Sequence, residues 1–299
     1  MKQLISILFS FLVTTTSHGQ KTLTLDLNHL FIGVDSATYV NLISDNFIKD
    51  VFADTREARP KTATAEWSNK SIVGRDAFLE FHSPLSKDKP IFSPDDQFGD
   101  LGGKYNDLGI VFKTRVTDDI ETVKTTLEEK GNKVKVFPDE IDDNGKRIKW
   151  TTFLWIDNAM HQSTFRPIIE EKSRELLKSR GFTDNEISKE ITHEYWREKV
   201  RKRKYDKLFD KIIAVELNLT NSEFEYLAAC LKAFSFKQDG TVLSDNTCTV
   251  TSNIVDNQST FKVSKIHLSL TKECEPREIV ISNNLTLTIK GKTAIYTFK

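Results

Sequence analysis

Three times along the chain an apolar strand runs into a helix-capping residue and then into a patterned helix. The first copy is "LTLDLNHLFIGV", then Asp35-Ser36, then Val40, Ile43, Phe47 and Val51 at spacings of three, four and four. The second is "LGIVFKTRV", then Thr117-Asp118-Asp119, then Ile120, Val123 and Leu127. The third is "DKIIAVELNL", then Thr220-Asn221-Ser222, then Phe224, Leu227, Leu231 and Phe234. Such spacings put the apolar residues on one helix face. Ser, Thr, Asp or Asn before the helix satisfies a backbone N–H that the first turn leaves unpaired. The pattern predicts helices over 36–52, 118–130 and 221–234, each packed on the strands beside it.

Strand-like segments follow each helix. They are "TATAEW", "KSIVGR" and "AFLEFH" in the first copy, and "KVKVFPDEI" and "RIKWTTFLWI" in the second. Asn144-Gly145 between the last two suits a tight hairpin turn. The third copy runs into a β-rich tail ending in "AIYTFK". Each unit therefore reads as strand–helix–strand–strand–strand, a βαβββ unit. The segment 161–210 is charge-dense and reads as two helices, one opened by the capping box Thr183-x-x-Glu186. The expected organisation is two paired units over 20–158, a helical insertion over 159–210 and a β-rich unit over 211–299, an α+β fold.

Consecutive units of this kind resemble the vicinal-oxygen-chelate superfamily, which includes glyoxalases, bleomycin-resistance proteins and ring-cleaving dioxygenases. The resemblance covers 22–158, with 211–299 as a degenerate third unit. A second resemblance is to exported bacterial proteins of no known function with an Asn-His pair where Asn28-His29 stands here. The superfamily implies a cup with helices outside and a small molecule or divalent metal on the concave face. Its metal ligands come from the first and last strands of each unit.

Strand alternation is a test independent of that resemblance. It puts Leu30, Ile32 and Val34 on one face and His29, Phe31 and Gly33 on the other. In "AFLEFH" it separates Ala77, Leu79 and Phe81 from Phe78, Glu80 and His82. With the aliphatic faces against helices, His29, Glu80 and His82 are expected on the cup side. His29 and Glu80 are candidate general bases for proton abstraction beside a carbonyl. With His82 they form an imidazole–carboxylate–imidazole candidate for a divalent metal. The second unit does not repeat the metal set: its first strand offers Lys113 and Arg115, its last Thr151, Phe153, Trp155 and Asp157. His82, Lys113, Arg115 and Trp155 are therefore expected to line a pocket, the two cations favouring an anionic small molecule. Two alternatives stand beside that reading. One is a metal-dependent lyase, isomerase or dioxygenase. The other is a non-catalytic structural or partner-binding protein, with Glu80 paired to Arg115 and His29 satisfied by Asn28 or a backbone carbonyl.

Other signals narrow the field. "MKQ", the ten apolar residues "LISILFSFLV" and Ser17 and Gly19 before Gln20 have the form of a signal peptide over 1–19, predicting export to the periplasm or beyond. No apolar run is long enough to span a bilayer as a helix. Lys+Arg and Asp+Glu both number 43, which gives no overall pull towards nucleic acid. The run "REKVRKRKYDK" reads as a solvated helix face. "THEYWRE" lacks the second histidine of a zinc-protease helix, and "GDLGGKYND" lacks the spacing of a phosphate loop. "SPDDQFGDLGGKYND" reads as the connection between units and a possible lid. Cys230, Cys248 and Cys274 leave two readings open, a Cys248–Cys274 disulfide or three free thiols.

Overall fold

A computed structural model describes residues 23–58, 68–83, 104–157, 164–256 and 260–299. The expected signal peptide, "TATAEW" and most of the inter-unit connection lie outside the described residues. The first unit comprises β1 (Leu25–Gly33), α1 (Ser36–Asn41), a π-helical turn (Ile48–Phe52), β2 (Asp54–Ala58), β3 (Asn69–Val73) and β4 (Phe78–His82). The second comprises β5 (Leu108–Thr114), α2 (Ile120–Glu129), β6 (Val134–Asp143), β7 (Lys146–Ile156) and β8 (Phe165–Lys172). They join in one eight-stranded sheet, ordered β2-β3-β4-β1-β5-β8-β7-β6. In each half the first strand lies parallel to the last, and the halves meet where β1 runs antiparallel to β5. This is the paired βαβββ arrangement that the resemblance implies, and the fold is α+β.

The helical reading of 161–210 needs correction at its start. Phe165–Lys172 is β8, the closing strand of the second unit, buried over most of its length. The charged run Glu170, Glu171 and Lys172 at its end suggested a solvated helix. Glu170 and Glu171 are hydrogen-bonded inside the protein instead, and Lys172 lies over the Trp196 ring. The helices of the segment are α3 (Arg174–Ser179), α4 (Asp184–Ile187) and α5 (His193–Arg201). Thr183 and Glu186 do form the capping box. Arg197, read as part of a solvated face, is buried, donates to the Gly74 carbonyl and stacks over Tyr205.

The first helix also departs from expectation. Asp45 accepts from the backbone N–H groups of Phe47 and Ile48, at 2.8 and 3.3 Å, and so starts a second turn out of phase with α1. Half of the predicted face is lost: Val40 is 64% and Val51 41% exposed, Ile43 and Phe47 still pack against the core, and Leu42, Ile48 and Phe52 are fully buried. The face of α2 is as expected, with Ile120, Val123 and Leu127 buried. Its cap is not Asp119 but Glu171 of β8. That carboxylate accepts from the N–H groups of Asp118, Asp119 and Ile120 at 2.9–3.0 Å and from the Thr114 hydroxyl at 2.9 Å.

The third unit is β9 (Phe209–Leu219), α6 (Asn221–Leu231), β10 (Lys237–Asp239), β11 (Val242–Ser244) and β12 (Thr249–Ile254). It repeats the same strand order and the same parallel closure of first and last strands. A long hairpin, β13 (Val263–Ser282) and β14 (Leu285–Phe298), pairs with β9 and completes a six-stranded sheet. One continuous apolar core joins the two sheets. At its centre Phe52 stacks on Phe209 at 6.0 Å and meets Tyr296 edge-on at 6.3 Å. All three cysteines are free thiols, and burial pushes Cys230 and Cys248 up to about 12. Among the described residues no helix is long and apolar enough to cross a membrane.

Candidate functional site

The cup face of the first sheet is built by alternation with one interruption. The pairing of β1 with β5 shifts between Leu27 and His29, so Asn28 is an extra residue in its strand. Strict alternation would send Asn28 to the core side with Leu30. The bulge instead lets Asn28 and His29 make neighbouring contacts, and Leu25, Leu27, Leu30 and Ile32 stay in the core.

Asn28 is the hub of a buried network. Its amide N–H groups reach Glu170 Oε1 of β8 and His29 Nδ1, the latter at 3.2 Å. Its amide oxygen accepts from His193 Nε2, at the first residue of α5. The amide oxygen can only accept, so His193 carries its proton on Nε2. Likewise His29 receives on Nδ1 and is protonated on Nε2. Both rings are held neutral. Burial lowers His29 against the opposing pull of Glu170 and Glu80. Burial, then Lys113, Lys172, His29 and Arg197, drive His193 well below the ordinary range. The His29 ring stacks on Phe78 at 4.1 Å, and Phe78 meets His193 edge-on at 5.6 Å.

The other expected residues divide into two groups. Glu80 accepts from Asn69 and lies 3.2 Å from His82 Nε2, whose ring meets Phe31 edge-on. Trp155 is buried with Phe137 under Arg166, whose guanidinium lies 5.7 Å from its ring centre. These belong to the packed floor of the cup. Arg115 does not pair with Glu80. Its guanidinium grips Asp26 by two nitrogens at 2.8–3.1 Å.

An open cleft lies to one side, between β5, β8 and α5. This cleft holds about 470 Å³ of empty volume, solvent at its mouth included. Lys113, Arg115, Glu170, Lys172, His193 and Trp196 line it with Asn28. Of the expected residues only Lys113 and Arg115 face it; His29, Glu80, His82 and Trp155 do not. Lys113 Nζ is buried without a hydrogen bond, its closest carboxylate being Asp76 at 3.7 Å. Lys172 lies over the Trp196 ring at 5.6 Å. Burial pushes its ammonium down, Glu170 opposes this, and Lys113 and Arg56 add to it.

Sequence reasoning missed Glu170, Lys172 and His193. Period-two spacing of Ile168, Glu170 and Lys172 was the available signal for the first two. Nothing local marks His193, whose role depends on where α5 docks.

A divalent metal does not fit this arrangement. The first and last strands of the two units present His29, Glu80, Lys113 and Glu170, with a lysine in one of the four places. Lys113 stands directly opposite Glu170 in the β5–β8 register. Among the described residues no three His, Cys, Asp or Glu side chains are placed to hold an ion. Asn69 and Asn28 occupy the two glutamates instead.

Fold and site together define a protein of paired βαβββ units with a buried polar and aromatic network on its cup face and a cationic cleft beside it. The chain belongs to a family of unknown function, DUF5829, whose model matches residues 27–298. No curated protein matches it in sequence. Its fold is similar to that of a hypothetical protein from Staphylococcus aureus: 15% identity, TM-score 0.56, covering 86% of this chain and 96% of that one. Weaker likenesses include the Mn(II)-bound glyoxalase from Novosphingobium aromaticivorans, with 10% identity, TM-score 0.42, and 91% and 81% of the two chains covered. The 2,3-dioxygenase LapB from Pseudomonas sp. KL28 gives 9%, 0.39, 91% and 90%. These two TM-scores are too low to bear on function.

Proposed function

We propose that the protein is an exported binding protein for a small anion, a carboxylate or phosphate, held in the cleft between β5, β8 and α5. The observation that carries this reading is Lys113. Its ammonium is buried at the cleft with no hydrogen-bond acceptor, and a buried cation without one is costly. Lys172 adds a second amine with no acceptor among the described residues, while Glu170 is engaged by Asn28. Arg115 contributes field rather than a bond, because Asp26 already fills its fork. An anion entering here would gain charge-assisted hydrogen bonds without displacing an existing ion pair of Lys172. Binding rather than metal-assisted chemistry is favoured by the asparagine partners on both glutamates.

Thermal-shift titration of the purified protein with oxalate, pyruvate, citrate and phosphate tests this. A ligand at a hundred times its dissociation constant should stabilise the fold by about 2.7 kcal/mol. Lys113→Met should remove the shift. If none of these anions stabilises the wild type, the reading falls.

A further inference from the structure

The two lysines of the cleft support a more specific chemistry, which rests on the anion-binding reading above. We propose that Lys172 captures a 2-oxo carboxylate as an imine, with Lys113 holding the carboxylate group.

Position is the first reason. Lys172 and Glu170 are two residues apart on β8, so both point from the same face of the strand into one cleft. Lys113 stands across from Glu170 on β5 and lines the same cleft, so an ammonium and an amine face one space. A 2-oxo acid carries its carbonyl one bond from its carboxylate. A carboxylate on Lys113 therefore brings the carbonyl carbon towards Lys172.

Chemistry is the second. An imine-forming amine must present a lone pair. Among the described residues Lys172 has no ion pair within 4 Å and no hydrogen bond to keep its proton in place, and it lies over the Trp196 face. Burial, opposed by Glu170 and aided by the neighbouring cations Lys113 and Arg56, shifts it towards the neutral form. The neutral amine adds to the carbonyl carbon, and the carbonyl oxygen takes up a proton to give a carbinolamine. The nitrogen then loses its remaining proton as the hydroxyl leaves as water. Amine and ketone become imine and water, with no oxidant or reductant. Of the two glutamates lining the cleft, Glu171 caps α2, which leaves Glu170 to accept and return the proton.

The experiment uses the whole mature protein with pyruvate or glyoxylate and sodium cyanoborohydride at neutral pH, read by intact mass and peptide mapping. Reduction of the imine should leave one stable adduct per chain, on the peptide carrying Lys172, and Lys172→Arg should lack it. Oxalate, which has two carboxylates and no ketone, should compete with labelling. Adducts spread over surface lysines without preference for Lys172 would overturn the proposal, as would labelling unchanged in Lys172→Arg. If oxalate stabilises the wild type while Lys172 stays unlabelled, imine capture fails and the anion site stands. If no anion stabilises the protein and Lys172 stays unlabelled, both fail.

Discussion

Asn28 donates a side-chain N–H to Glu170, 142 residues later, tying the first strand of one βαβββ unit to the last strand of the next. The same side chain accepts from His193 of α5, so one buried amide joins both units and the insertion. Asn28→Ala would leave Glu170, His29 Nδ1 and His193 Nε2 without this partner. A buried polar group left unsatisfied costs about 1–3 kcal/mol. Urea denaturation should therefore show a loss of more than about 2 kcal/mol. A loss near zero would mean that water replaces the amide.

The two histidines of this network should make stability fall on mild acidification. Their native pKa values lie below the ordinary one, about 6.5 in an unfolded chain. The unfolded chain therefore takes up protons first as pH drops. Their contribution is complete above about pH 6.5 and is lost progressively below it. His193 faces Lys113, Lys172, His29 and Arg197, all of which oppose a charge on its ring. The melting temperature should drop between pH 7.5 and 5.5, and His193→Gln, which keeps a donor for Asn28, should flatten that slope. An equal slope in the variant would assign the acid sensitivity elsewhere.

Gly109 is required by the floor of the cup. A Cβ there would lie 1.8 Å from the Phe31 ring, which packs with Val111 and Ile168. Gly109→Ala should destabilise by about 1–3 kcal/mol or more through overpacking. Adding Phe31→Leu should restore part of the loss. Calorimetry of the single and double variants measures both, and no recovery in the double variant would place the strain outside this contact.

The proposed export is testable apart from any folded-state measurement. Protein recovered from its native host should begin at Gln20 or within a residue or two of it. Intact-mass analysis showing Met1 or Lys2 retained would remove the signal-peptide reading and the localisation with it.

Much of the architecture follows from local rules. Period-two alternation separates Leu30, Ile32, Leu79 and Phe81 from the residues between them, because a strand sends successive side chains to opposite faces. Helical spacing marks Ile120, Val123 and Leu127, and Phe224, Leu227 and Leu231, as buried faces. Asn144-Gly145 marks its hairpin, where both residues adopt positive φ, 57° and 83°. These features depend on a residue and its near neighbours, so they are readable from the chain alone.

What the tertiary structure decided depends on partners far away in sequence. The β1 bulge exists only as a mismatch with β5, and it brings Asn28 into the network with His29. Asp45 breaks the first helix because the re-phased turn buries Leu42, Ile48 and Phe52 against a core built from both sheets. β8 reads as a polar helix until Glu171 caps α2, Glu170 meets Asn28 and Lys172 enters the cleft. A charge is affordable in a buried strand only when its partner arrives from another element, and no local pattern encodes that arrival. The sequence by itself determined which residues each strand and helix could bury; the packing of β8 and α5 against β1 and β5 decided that the polar remainder became a network and a cationic cleft.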